Sequence, residues 1–204
     1  MTTARTISRS TPRVRVTVAV LAATIGLVAV AERPLLAGVV GALVQLAGVA
    51  IVVVAALGRV WTSAFIAGRK DASLVRSGPY AAVRHPLYSL SMLAMLGLGL
   101  TARSVSVTVA LCLFAAVVYA RAARQEDSLL AERHDDAHAE FVARTPAFWP
   151  DPAAYAVPDS IELRPRIFWK AFLDAGSLIG IALLLCAVDV LQRAGVTPTV
   201  FTLP

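Results

Sequence analysis

Long apolar blocks, separated by short charged or Pro-rich stretches, set the pattern of this chain. A helix needs about 20 apolar residues to cross a bilayer, within a range of roughly 17–25. Five blocks come near that length: Val14 to Ala31, Leu35 to Gly58, Pro86 to Ala102, Ser104 to Ala120 and Ile167 to Leu191. Glu32-Arg33-Pro34 separates the first two, since proline ends one helix and suits the first turn of the next. Arg103 marks a tight turn between the third and fourth. The pattern predicts an all-α integral membrane helical bundle of about five transmembrane helices. Residues 14–204 form a single membrane domain, and residues 1–13 a basic tail, rich in Thr, Ser and Arg, that reads as disordered.

Composition agrees. Hydrophobic residues make up 58% of the chain and charged residues only 16%, against about 45–50% and 25% in soluble domains. The net charge of +6 would suit nucleic acid only if a soluble basic face presented it. Here the charge lies between apolar blocks, where it sets orientation, so no nucleic-acid partner is expected. With the N-terminus in the cytoplasm, every Lys and Arg except Arg33, Arg103 and Arg193 falls on the inner side. That predicts a multi-pass protein of the cell membrane, N-terminus cytoplasmic. A competing expectation concerns the first block. Arg13 and Arg15 precede an apolar run ending in Ala29-Val30-Ala31, the form of a signal-peptide cleavage site, and cleavage leaves four spans in the same orientation. Cys112 and Cys186 lie inside apolar blocks and suit neither a disulfide framework nor a metal site.

Inside the blocks, Gln45 is expected to bond to a neighbouring helix, and Gly38, Gly41, Ala42 and Gly48 to allow close helix packing. Lys170 with Asp174, and Asp189 with Arg193, are spaced four apart and can meet on one helix face as anchors near an interface.

The chemistry concentrates in two segments, 76–88 and 121–165. In the first, Gly78-Pro79 forces a turn. Pro86 suits the first turn of the third span, which puts His85 near its N-cap and Tyr88 one turn in. Arg84, His85 and the free N–H groups of that helix end suit an anionic group. The plainer alternative makes Arg84 and His85 interface anchors, with Tyr80 and Tyr88 an aromatic belt. The second segment opens with Glu126-Asp127-Ser128-Leu129-Leu130 and closes with Thr145-Pro146-Ala147-Phe148-Trp149-Pro150. Between them Leu130, His134, His138 and Phe141 recur at helical spacing. His134 and His138 share a face as zinc ligands do, but Asp135 stands where the zinc motif needs Glu and no third ligand is evident, so no metal is expected.

Together the two segments resemble the isoprenylcysteine carboxyl methyltransferase family and its phospholipid methyltransferase relatives. Gly78-Pro79-Tyr80 and Arg84-His85-Pro86-Leu87-Tyr88 resemble one family motif. Glu126-Asp127 with Leu130, then Pro146, Phe148 and Pro150, resemble another, so that the likeness spans about residues 76 to 150. The chain departs from the pattern at Asp127, usually Glu, at His134-Asp135, usually Phe-Gly, at His138 and Phe141, usually Tyr, and at Leu90, often Gly. The resemblance implies a methyltransferase that uses S-adenosyl-L-methionine, bound by a helical segment at the cytoplasmic end of the bundle. Its substrate would be a lipid or lipophilic small molecule with a carboxylate, amine or thiol acceptor. The cofactor residues it implies are Arg84, His85, Pro86, Tyr88, Glu126, Asp127, His138, Phe148 and Trp149. Arg84 and His85 suit the cofactor carboxylate, Tyr88 the sulfonium, Glu126 the ribose or amino group, and Phe148 and Trp149 the adenine. Arg124 and Glu126 are the implied catalytic residues, with Arg124 orienting the acceptor. The alternative is a non-catalytic membrane scaffold or sensor that keeps the pocket, which the substitutions at His134 and His138 favour. A transporter is disfavoured because no span interior holds an evident cluster of ionisable groups.

Overall fold

The computed structural model describes residues 10–32, 38–66, 75–161, 163–196 and 200–202, with all their side chains except those of residues 10–14, 32, 134, 135 and 201. Most of the N-terminal tail, the Arg33-Pro34 break and the loop around Arg69 and Lys70 lie outside the described residues. Each of the five apolar blocks forms a helix: α1 (Ser10–Val30), α2 (Gly38–Ile66), α4 (Pro86–Thr101), α5 (Val105–Arg144) and α6 (Pro165–Arg193). A single turn, α3 (Pro79–Ala82), precedes α4, and a 3₁₀ turn, Pro152–Ala154, follows α5. The described strands are two-residue pieces, β1 (Ala31–Glu32) and β2 (Phe201–Thr202), paired in parallel with Ala31 opposite Phe201. The fold is an all-α membrane bundle.

By length and composition α2, α5 as far as Arg133, and α6 can each cross a bilayer, whereas Arg15–Val30 and Pro86–Thr101 are shorter apolar helices. Val39, Leu43, Val54, Val109, Leu113, Leu183 and Val190 are exposed on the outside of the bundle. So broad an apolar exterior is costly in water and natural in lipid.

Three boundaries differ most from the sequence expectation, the first being that α1 begins at Ser10, inside the tail read as disordered. The second apolar block stops at Gly58 because Arg59 is charged, but the helix continues to Ile66. Arg59 is therefore part of α2, not of the following loop. The fourth block and the polar stretch after it form one 40-residue helix, since nothing between Val105 and Arg144 breaks it. At 1.5 Å per residue α5 is roughly 60 Å long, about twice the bilayer core. Its polar half, from Arg121, continues the same helix past the apolar part.

Small residues let the helices touch, as expected where lipid offers no hydrophobic drive for association. A Cβ at Gly48 would lie 2.5 Å from the Thr101 nitrogen, so α2 and α4 pack backbone to backbone there. Gln45 Nε2 donates to the Thr101 carbonyl across 3.2 Å, the bond to a neighbouring helix that its mid-span position predicts. Val28, Val52, Met95, Leu98, Leu111 and Leu185 fill the core and draw on all five long helices. Gln192 of α6 donates to the carbonyls of Val28 and Ala29 at 2.9 and 3.0 Å, which supplies partners at the end of α1.

The α4–α5 turn is tight. Arg103 takes a left-handed φ of 55°, and Ser104 caps α5 by accepting the Val107 N–H at 3.3 Å. Arg103 then reaches α6, where its Nη1 meets both oxygens of Asp189 at 2.9 and 3.0 Å. Arg193 joins Asp189 at 2.7 Å, the pair anticipated from their spacing. Asp174, by contrast, bonds not to Lys170 but to Arg59 of α2. Ionisable groups thus do meet between the helices, through pairings too distant in sequence for helical spacing to reveal.

Candidate active site

The start of α4 and the middle of α5 meet because the two helices form an antiparallel hairpin. Pro86 occupies the first turn of α4 and His85 its N-cap, as the sequence predicts. Inward positions on α5 recur every three or four residues: Ala122, Ala123, Glu126, Asp127, His138 and Phe141. After α5, a strap from Thr145 to Tyr155 returns to α4. The N–H groups of Arg84 and His85 donate to the Pro146 and Ala147 carbonyls at 2.9 and 3.2 Å, and that of Asp151 to Ala82 at 2.9 Å. Ser89 Oγ donates to the Phe148 carbonyl at 2.8 Å. This corrects one expectation, because the Arg84 and His85 N–H groups hold the strap and are not open to an anion. The Arg84 and His85 side chains remain directed to the cluster around Asp127. Gly78, at φ 60°, donates to the Ala156 carbonyl at 2.6 Å. A Cβ there would strike the Phe65 ring at 2.3 Å, so only glycine fits this close approach.

Three charged or titratable side chains converge on Asp127, and Glu126 reaches one of them. Arg84 Nη1 donates to its Oδ2 at 2.9 Å, and His85 Nε2 lies 3.1 Å from its Oδ1. His138 Nε2 is 3.6 Å from the same Oδ1, beyond hydrogen-bond reach, and Glu126 Oε2 is 3.8 Å from His85 Nδ1. Burial by itself would push the Asp127 carboxyl up. The His85 hydrogen bond and the charges of His85, Arg84 and His138 outweigh it and hold the carboxyl below its ordinary range. Tyr80 is buried beside this cluster, not in an interfacial belt. Burial, then the nearby Glu126 charge and Tyr88, raise its phenol well above the usual range, so it stays neutral.

Two atoms of the cluster carry unmet hydrogen-bonding capacity. His138 Nε2 and Arg84 Nε are buried without a hydrogen-bond partner. Such atoms are rare in folded proteins and cost stability. The rings of His85 and Tyr88 stack at 5.6 Å, Phe148 lies 5.9 Å from His85, and Tyr119 of α5 continues the stack 5.7 Å from Tyr88.

Tyr88 and Tyr119 also wall a cavity of about 520 Å³ between the helices. Arg59, Ser91 and Asp174 line one part of it, and Leu21, Ala94, Met95 and Ile181 lie deeper along α1, α4 and α6. Its volume falls within the range of about 300–1,000 Å³ typical of ligand sites.

Of the residues singled out by sequence, Arg84, His85, Tyr88, Glu126, Asp127, His138 and Phe148 come together, positioned by Pro86. Arg124 is exposed, because it lies off the face defined by Ala123 and Asp127. Trp149 is 85% exposed, turned outward between two prolines of the strap. The His134 side chain lies outside the described residues; His138 faces Asp127. Among the described residues no group of three or more His, Cys, Asp or Glu is arranged to hold a metal ion. Sequence reasoning missed Arg59, Ser91 and the pairing of Asp174. A charged residue one position past an apolar block was the available signal.

The fold and site define an integral membrane helical bundle in which one extended helix and a strap close a charged and aromatic pocket over the end of a helical hairpin. The model of the isoprenylcysteine carboxyl methyltransferase family matches residues 39–132, which hold Arg59 and most of the cluster. The cobalt-zinc-cadmium resistance protein CzcN of Cupriavidus metallidurans is 37% identical over 149 residues, 73% of this chain and 68% of that protein. The nickel-cobalt-cadmium resistance protein NccN of Alcaligenes xylosoxydans xylosoxydans is 31% identical over 153 residues, 75% of this chain and 71% of that protein. No solved structure matches. The chain belongs to the isoprenylcysteine carboxyl methyltransferase family, a family of membrane methyltransferases.

Proposed function

We propose that the protein transfers a methyl group from S-adenosyl-L-methionine to a lipophilic acceptor at the cytoplasmic face of the membrane. The observation that carries this reading is the convergence of Arg84, His85, Glu126, Asp127 and His138 beside a cavity that shares Tyr88 with them. The residues fit the cofactor. The unpartnered His138 Nε2 and Arg84 Nε have capacity to spare, Glu126 and Asp127 present carboxylate oxygens to hydroxyl and amino groups, and Tyr88, His85 and Phe148 present ring faces. When bound, the cofactor supplies an electrophilic methyl on a cationic sulfonium.

The chain's own part is positioning and exclusion of water, where most of the rate of a displacement reaction arises. Asp127 fixes Arg84 and His85. The strap holds the N-cap of α4 in place. Tyr88 and Tyr119 separate the charged pocket from the apolar cavity, where the acceptor's tail lies. The excess of Lys and Arg on one side supports a cytoplasmic location for the cluster.

The names of the two relatives favour a second reading of the physiological role, as part of resistance to divalent transition metals. In that reading the chain contributes by modifying a membrane molecule. Calorimetry on detergent-purified protein should show binding of S-adenosylmethionine or its demethylated product. A lipid extract incubated with protein and isotope-labelled cofactor should yield a labelled product by mass spectrometry. Folded protein that binds neither compound at millimolar concentration would overturn the methyltransferase reading.

A further inference from the structure

The cavity between the helices has a built polar end that the charged cluster does not use. Arg59 of α2 donates through Nη1 to Ser91 Oγ and to the Leu87 carbonyl of α4, and through Nη2 to Asp174 Oδ2 of α6. Its Nε is buried without a hydrogen-bond partner. Arg59 is mostly covered, with 20% of its side chain exposed, while Asp174 is 61% exposed. Among the described residues no donor reaches the second oxygen of Asp174, Oδ1.

These groups sit at one level of the bundle. Leu87, Tyr88 and Ser91 occupy the first turns of α4, close to His85, and Asp174 precedes Ser177, Leu178 and Ile181 on α6. Going deeper, the lining changes to Ala94, Met95 and Ile181. The cavity therefore has a head end next to the charged cluster and a tail end among aliphatic side chains.

The charge balance of the head end restricts what it accepts. Arg59 and Asp174 neutralise each other. An amphiphile with one net charge would leave that charge unbalanced beside a pair that is already neutral, where the covered Arg59 side gives it little screening. A head with a cation and an anion side by side meets the reverse, because its cation can take Asp174 Oδ1 while its anion lies along the guanidinium, and the pair stays whole. Volume adds a limit: about 520 Å³ suits one aliphatic tail.

We propose that Arg59 and Asp174 form the head-group subsite of the acceptor cavity, selecting a single-tailed amphiphile with a zwitterionic head. This rests on reading the cavity as the acceptor site, and Arg59 and Asp174 are then specificity-determining residues.

Three probes with the same tail length test it: 2-aminotetradecanoic acid, tetradecanoic acid and tetradecylamine. Equilibrium binding to the detergent-purified full chain needs no methyl transfer. The zwitterion should bind at least tenfold tighter than the acid and the amine. Arg59→Gln and Asp174→Asn should each abolish that preference, and Asp174→Glu should retain much of it. Ile181→Trp, which narrows the tail end two turns along α6 from Asp174, should weaken all three probes together. Thermal unfolding of each variant identifies any that fail to fold, and the wild-type ranking of the three probes decides the proposal without them. Equal or tighter binding of the acid or the amine overturns it, as does a preference that survives both charge-removing variants in folded protein. Cofactor binding, measured on the same preparation, separates the two ideas. Zwitterion selectivity without cofactor binding would sink the methyltransferase and leave the subsite standing; cofactor binding without selectivity would do the opposite.

Discussion

At the Arg103 end of the α4–α5 hairpin, Arg103 and Asp189 are 6% and 7% exposed and joined by two bonds from one guanidinium nitrogen, with Arg193 closing the group from outside. At the other end, Arg84, His85 and His138 gather round Asp127, yet His138 Nε2 and Arg84 Nε go unpartnered and Glu126 and Asp127 are 35% and 27% exposed. Both clusters tie neighbouring helices with charge. The first is closed and leaves nothing for a ligand. The second keeps donors and acceptors in reserve at the mouth of a cavity. A charged cluster in a membrane bundle is a candidate for chemistry when its groups are not all satisfied by one another.

The comparison predicts opposite responses at the two ends. Arg103→Ala should cause the largest effect, a loss of about 3 kcal/mol of stability, because the buried Asp189 carboxylate loses its buried partner and keeps the half-exposed Arg193. Thermal unfolding in detergent measures it. Cofactor affinity per folded molecule should not change. A fall in affinity at intact stability would mean that the closed cluster also serves the site.

Glu126→Ala and His138→Ala should reverse that signature. Each should weaken cofactor binding by roughly 1–3 kcal/mol, the range for hydrogen bonds involving charged groups, with little change in unfolding temperature. Calorimetry on the two variants reads the affinity directly. Stability losses as large as that of Arg103→Ala would make the open cluster structural too, and the contrast between the two ends would disappear.

A smaller effect follows from pH. Folding lowers the Asp127 pKa, so the unfolded chain binds the proton more readily than the native one. The cluster's stabilisation is therefore complete above the ordinary carboxylate pKa of about 3.9. It is lost as pH falls through the lower folded value. Acid unfolding curves of wild type and Asp127→Asn should run parallel above pH ~5, and the wild type should lose its advantage only below the ordinary value. An advantage that vanished on raising the pH instead would contradict the direction of the shift.

Much of this was legible in the sequence, and the gaps have physical reasons. The five apolar blocks, the turn at Arg103, proline in the first turn of α4 and the meeting of His85 with Glu126 all follow from local rules and an antiparallel hairpin. Gln45 behaved as an isolated polar residue in a span should. Arg59 was misplaced because an apolar window ends at a charge, whereas a helix ends when its backbone is broken. Its bond to Asp174 joins positions 115 apart, beyond any periodicity. The strap's use of the Arg84 and His85 N–H groups was equally hidden, since it depends on where Pro146 and Ala147 return.

The smallest effects should come from the two sequence candidates that the fold turns outward. On α5, Ala123 and Asp127 face inward, and Arg124 lies about 100° round the helix from Ala123, in solvent. For Arg124 to orient an acceptor, it would have to act outside the face that carries Glu126 and His138. Trp149 stands free on the strap, while its neighbour Phe148 points towards His85. Arg124→Ala and Trp149→Ala should therefore change cofactor affinity by less than about 0.5 kcal/mol, the usual size for surface substitutions. Turnover of the Arg124 variant should stay within about twofold of wild type, which is about 0.4 kcal/mol. A tenfold loss of turnover with cofactor affinity intact would show that Arg124 swings inward when the acceptor arrives. The open cluster would then be only part of the active site, with its remaining charge supplied from the exposed face of α5.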